Sequence, residues 1–197
     1  MAAAALLFSG TILYRQYKIT EEIAGKIIRF HVRANSDTKI DQELKLKVRD
    51  AIGNYMQPKL SGISDIEKSR QIVKENLEQI EKAASSVIAA EGYTYPVTAS
   101  LTITKFPEKT YGAYTFPAGN YEALEVLIGK GKGHNWWCVM YPNMCFFNST
   151  YEVVDEEADK SLQQALTQAE YEALMEHKNF KVKFALVEQL REIFENL

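Results

Sequence analysis

Apolar and polar residues alternate from Ile28 to Ala34, with Ile28, Phe30, Val32 and Ala34 on one face and Arg29, His31 and Arg33 on the other. That period of two predicts a half-buried strand whose second face is polar. Asn35, Ser36 and Asp37 then offer turn and cap chemistry, and Leu44, Val48, Ile52 and Tyr55 recur at helical spacing as far as Pro58, which predicts a helix over 39–57. Ser64 followed by Glu67 fits a capping box, and behind it Ile66, Val73, Leu77, Ile80, Ala84 and Val87 make one longer helical stripe that runs to Ala90. Val97, Ala99, Leu101 and Ile103 alternate with Thr98, Ser100, Thr102 and Thr104, so this strand is expected to turn one face to the core and one to water, as strands of antiparallel sheets do.

A loop of glycine, proline and aromatic residues from Phe106 to Asn120 leads into a strand marked by Leu124, Val126 and Ile128. Gly129, Gly131 and Gly133 end it, and Trp136 to Tyr141 predicts one more strand, in which the adjacent tryptophans must point to opposite faces. From Asp155 the chain turns acidic and helical, with a second capping box at Thr167 and Glu170 and a terminal stripe of Val182, Leu186, Leu190, Ile193 and Leu197. A strand, helices, then strands and helices predicts an α+β fold, with a single mostly antiparallel sheet of about four strands and helices packed on one face.

Composition narrows the class. A chain of 197 residues that is 46% hydrophobic and 25% charged can bury roughly 70% of its surface and needs no cofactor or disulfide staple to hold a core. Its 23 basic against 26 acidic residues leave no surplus for neutralising phosphates, so a nucleic-acid partner is not expected. Met1 to Tyr14 carries no charge, and the run Ala2 to Phe8 is too short to span a bilayer but fits the apolar part of a secretory signal. Residues 1–22 therefore read as a truncated signal peptide or a membrane tether, and 23–197 as one α+β domain.

Candidate chemistry is sparse. Gly129–Lys130–Gly131–Lys132–Gly133–His134 lacks the spacing of a phosphate loop and precedes a strand instead of a helix, so it reads as a hairpin loop with two solvated lysines. Cys138 and Cys145 are too far apart for a common zinc knuckle, and no second ligand pair follows. They could form a disulfide in an exported protein or stay as two buried thiols, and a Cys138 nucleophile served by His31 or His134 is the enzymatic alternative, a cell-wall or peptide hydrolase. On the polar face of its strand, His31 is expected to be solvated or hydrogen-bonded. Lys109, Tyr111, Tyr114 and Phe116 sit in a connection much longer than the usual hairpin, which makes it the first candidate for a contact with a protein partner. His31, Arg33 and Asn35 are the second.

The segments Ile28–Arg29–Phe30–His31–Val32–Arg33–Ala34–Asn35–Ser36–Asp37, Leu44 to Asp50, Phe106–Pro107 with Tyr111–Gly112, Pro117 to Leu124, Ile128–Gly129 and Asn135 to Pro142, in that order, resemble the stage II sporulation protein R family. The resemblance runs from Ile28 to Asn148. It implies a non-enzymatic protein, made in the forespore and secreted into the space between the forespore and mother-cell membranes. There it is needed for a membrane-embedded aspartic protease of the mother cell to activate pro-sigma-E. The family brings no catalytic residues and no cofactor.

Overall fold

The computed structural model describes residues 17–144 and 156–175. The apolar segment before residue 17, Cys145 and the expected terminal helix lie outside them. A helix α1, described over 17–26, precedes β1 (Ile28–Arg33), and α2 (Lys39–Leu60), α3 (Ile66–Glu75) and α4 (Leu77–Ala90) follow. Then come β2 (Val97–Phe106), the short pair β3 (Lys109–Tyr111) and β4 (Tyr114–Phe116), β5 (Gly119–Ile128) and β6 (Asn135–Tyr141). Two helices close the described chain, α5 (Glu156–Ala165) and α6 over 168–175.

The α+β class holds. The sheet has four strands in the order β2-β5-β1-β6, with β2·β5 and β1·β6 antiparallel but β1·β5 parallel. It is thus mixed. The parallel pair arises because α2, α3 and α4 carry the chain over one face between β1 and the hairpin-linked strands, the long crossover that parallel neighbours need.

Local details depart from the pattern in instructive ways. α2 runs through Pro58 to Leu60, because Leu60 is buried in the core and a proline in the last turn forfeits little. The expected single helix up to Ala90 breaks at Asn76. There the side-chain Nδ2 donates to the Ile72 carbonyl at 2.7 Å and Oδ1 accepts from Tyr55 at 2.6 Å, so the asparagine side chain competes with the backbone ladder. The cap of α3 is Asp65, whose carboxylate accepts from the Lys68 amide, and not Ser64. The capping box at Thr167 and Glu170 forms as expected, with the Thr167 amide donating to Glu170 at 2.7 Å and the Glu170 amide to Thr167 Oγ1 at 3.4 Å. The long loop folds into the β3–β4 hairpin, turning at Gly112 with φ +56°.

Two cores sandwich the sheet. Phe30, Val32, Leu124, Val126, Ile128 and Met140 pack against Leu44, Val48, Ile52 and Met56 of α2 and Ile80, Ala84 and Ile88 of α4. On the opposite face Tyr121, Ala123 and Val139 meet Phe106, the β3–β4 residues Tyr111, Tyr114 and Phe116, Ile23 of α1, Leu162 of α5, Leu166 just after it and Leu174 of α6. Helices therefore lie on both faces, not on one. The face that alternation marked as wet is wet only in part.

Candidate functional site

Cross-strand register arranges the second face in rows. Thr102, Ala123, Arg29 and Val139 form one, Ser100, Glu125, His31 and Trp137 the next, and Thr98, Leu127, Arg33 and Asn135 the third. The hairpin and the helices α1, α5 and α6 cover Ala123, Arg29 and Val139 of the first row, whereas its Thr102 and the Thr98, Ser100 and Arg33 of the other two are exposed and Glu125, Leu127, Asn135 and Trp137 are half-buried.

Arg29 is fully buried at the centre of the covered row. Its guanidinium carbon stands 4.5 Å from the ring centre of Phe106, 5.1 Å from Tyr121, 5.2 Å from Phe116 and 5.8 Å from Tyr111. Nε donates to the Cys138 carbonyl at 2.9 Å and Nη2 to the Tyr111 hydroxyl at 3.1 Å, while that hydroxyl donates to the Trp137 carbonyl at 3.0 Å. Burial pulls the Arg29 pKa below its ordinary value, but a guanidinium keeps its proton in proteins. Aromatic faces and neutral oxygens, with no carboxylate among its described partners, hold this charge.

His31 forms the floor of the open rows at 1% exposure. It stacks on Trp137 with ring centres 5.1 Å apart and 17° between planes, and meets Phe106 edge-on at 5.5 Å. Nδ1 lies 3.2 Å from Asn135 Oδ1, and Nε2 lies 3.2 Å from Glu125 Oε1 without hydrogen-bond alignment. Burial lowers the His31 pKa below 6.5, against raising contributions from Asn135 and Glu125. The unfolded chain then takes up a proton that the folded one refuses, so stability present above the ordinary histidine pKa is lost as pH falls from about 6.5 toward the folded-state value. Urea midpoints measured between pH 7 and pH 5 should fall for the wild type and change less for His31→Phe. An equal fall in both would remove His31 as the cause.

At one end of these rows the β1–α2 connection locks to the glycine loop. Asp41, 5% exposed, accepts from Asn35 Nδ2 at 2.8 Å and from the Ser36 hydroxyl. Burial pushes its pKa up, but bonds from Ser36, Asn35, Tyr95 and Thr38 outweigh this and hold it below the ordinary value. Asn35 Oδ1 accepts from the Lys130 amide, the Gly133 amide donates to the Ala34 carbonyl, and the His134 amide donates to Asp37. Gly129 and Gly131 have φ of +58° and +56°, which glycine adopts without strain. The glycine run is therefore a clamp on residues 34–37 and not the expected hairpin loop, because β1 lies between the strands β5 and β6 that it joins.

The expected contact residues separate. Tyr111, Tyr114 and Phe116 are buried, so their side chains build the second core instead of lining an open surface, and His31 is buried beneath the open rows as their floor. Tyr114 is tied to Asp159 and Tyr171 in the same way. They read as surface groups because a strand with a polar face looks solvated until something covers it. Lys109 and Asn35 stay half-buried and Arg33 exposed. Trp136 and Trp137 do take opposite faces, Trp136 lying edge-on to Phe30 with Arg49 over its ring. The sequence does not single out Thr98, Ser100 and Glu125 as members of this face. The shared period of two in β2, β5 and β6 held the signal, but their register was not legible.

As chemistry, the face offers a tryptophan, an arginine, a carboxylate and hydroxyls, the mixture that protein interfaces favour. Glu125 stands between Ser100 and His31, so the imidazole does not adjoin that hydroxyl as it does in a serine–histidine triad. Cys138 is fully buried and is not a free thiol, which does not favour the hydrolase alternative; Cys145 lies outside the described residues.

The family described as stage II sporulation protein R matches residues 24–151, which take in β1 to β6 and α2 to α4. A protein of Bacillus subtilis (strain 168) named stage II sporulation protein R is 33% identical over 186 residues, covering 87% of this chain and 83% of that protein. No solved structure matches.

Proposed function

Because this chain belongs to the stage II sporulation protein R family, and so is a sporulation protein, we propose that it is a secreted signal that switches a membrane-embedded aspartic protease of the mother cell to process pro-sigma-E. The observation that carries this reading is the family match over 24–151, which spans the four-stranded sheet and the helices packed on its first face. The uncharged N-terminal segment supports export from the forespore into the space between the two membranes. Among the described residues no helix is long and apolar enough to cross a membrane.

The open rows around Trp137 and Arg33, bordered by Asn35, are the proposed receptor contact, with Lys109 on the separate hairpin as a subsidiary one. A ligand shifts a two-state receptor only by its difference in affinity for the two states. A face that mixes an aromatic anchor with both signs of charge can supply such a difference.

The test is reconstitution. The chain, the protease and pro-sigma-E are produced together in a host without other sporulation proteins, and pro-sigma-E cleavage is followed. Wild type should drive cleavage. Arg33→Glu, in a protein with unchanged melting temperature, should reduce it by about tenfold or more, equivalent to ~1.4 kcal/mol of contact. No cleavage with the wild type would sink the function, and a wild-type rate with Arg33→Glu would sink the contact face.

A further inference from the structure

β2 is an edge strand, and a bare one. It is ten residues long, pairs with β5 through ten consecutive positions without a register shift, and carries no charge from Thr98 to Thr104. Edge strands are usually blunted by charge, proline, a bulge or brevity, and seven successive positions here have none of these. Ile103 lies on this strand at 67% exposure, the most exposed large hydrophobic side chain among the described residues. One outward amide is capped, that of Ala99, which donates to Glu81 of α4 at 2.8 Å. Since hydrogen-bonding directions alternate along a strand, Ala99 facing outward places Leu101 and Ile103 on the same outer edge.

The sequence of this edge is self-complementary. Turned antiparallel about a two-fold axis at Leu101, Thr98 faces the partner's Thr104, Ala99 faces the partner's Ile103, Ser100 faces the partner's Thr102, and Val97 faces the partner's Lys105. Hydroxyl pairs fall on one face and aliphatic pairs on the other, both favourable across strands, and no like charges oppose each other.

We propose that two copies of this chain associate by pairing β2 with β2 about a two-fold axis at Leu101, joining their sheets into one of eight strands. The partner's Ile103 carbonyl takes over the Ala99 amide from Glu81, and each Ile103 gains the partner's Ala99 as a neighbour. A two-fold axis makes the contact isologous and closed, so it ends at a dimer and does not grow into a fibre.

Light scattering coupled to size exclusion reads the result directly on the full chain. The wild type should pass from one to two chains per particle as concentration rises. Ile103→Lys, which changes an exposed side chain and leaves the β5 ladder intact, should remain one chain per particle with an unchanged circular dichroism spectrum. A wild type that stays monomeric throughout, or an Ile103→Lys protein that still dimerises, overturns the proposal. Register is tested by cysteines. Ser100→Cys mixed with Thr102→Cys should cross-link on oxidation, because facing non-hydrogen-bonded residues stand about 4.5 Å apart between Cα atoms. Neither variant alone should do so, its own copies being diagonal at about 7–8 Å. Cross-linking of either variant with itself and not with the other rejects the axis at Leu101.

Discussion

Arg29→Ala is expected to lower the free energy of unfolding by about 3–5 kcal/mol, seen as a lower urea midpoint and a melting temperature reduced by roughly 10 °C. Two effects oppose each other. Removing a buried charge relieves a desolvation cost, and buried ions replaced by well-packed apolar residues are often neutral. Alanine does not pack well here, because the space between Phe106, Phe116, Tyr121 and Tyr111 would empty. It also strips a charged donor from the Cys138 carbonyl and the Tyr111 hydroxyl, bonds of a kind worth about 1.5–3 kcal/mol each. The cavity and the orphaned acceptors win. Arg29→Met keeps most of the volume and should recover about half of the loss, an estimate that follows from separating the packing part from the hydrogen-bond part. If Arg29→Ala unfolds at the wild-type midpoint, the aromatic enclosure contributes nothing to stability and this account of the second core is wrong.

Gly133→Ala is the second large effect, a loss of about 3 kcal/mol by overpacking and broken loop bonds. A β-carbon at Gly133 would stand 2.2 Å from the Ser36 carbonyl oxygen, 2.5 Å from its carbon and 3.0 Å from the Ala34 side chain. The first two are backbone atoms and cannot swing aside, so the glycine loop has to lift away from residues 34–37. The bonds from Gly133 to Ala34 and from Lys132 to Asn35, now 2.9 and 3.2 Å, would lengthen with it. Lys132→Ala is the control, since that neighbour is exposed and should change stability by less than about 0.5 kcal/mol. Amide exchange should show residues 35–41 opening faster in Gly133→Ala alone. Equal stability in the two variants would mean that the clamp is dispensable.

Much of this architecture was legible because it is local. Strand alternation at Ile28–Ala34 and Val97–Thr104 found β1 and β2, the Thr167–Glu170 spacing found a capping box, and the opposed tryptophans followed from the pleat. Each depends on residues a few positions apart, where backbone geometry alone fixes which side chains share a face. What covers a face is a different matter. Arg29 meets Cys138 across 109 residues and Tyr111 across 82, and nothing in the Arg29–His31–Arg33 pattern distinguishes a solvated face from one enclosed by aromatics. The hairpin β3–β4 and the helices α1, α5 and α6 decided that for Arg29, whereas Phe106 and Trp137 bury His31 and Arg33 is left in water. The same holds for the parallel β1·β5 pair and for the break at Asn76, set by Tyr55 from α2. Alternation and caps are written in the chain because they cost or gain energy within one element; the open rows around Trp137 exist only because register aligns four strands and the covering layer stops short of them.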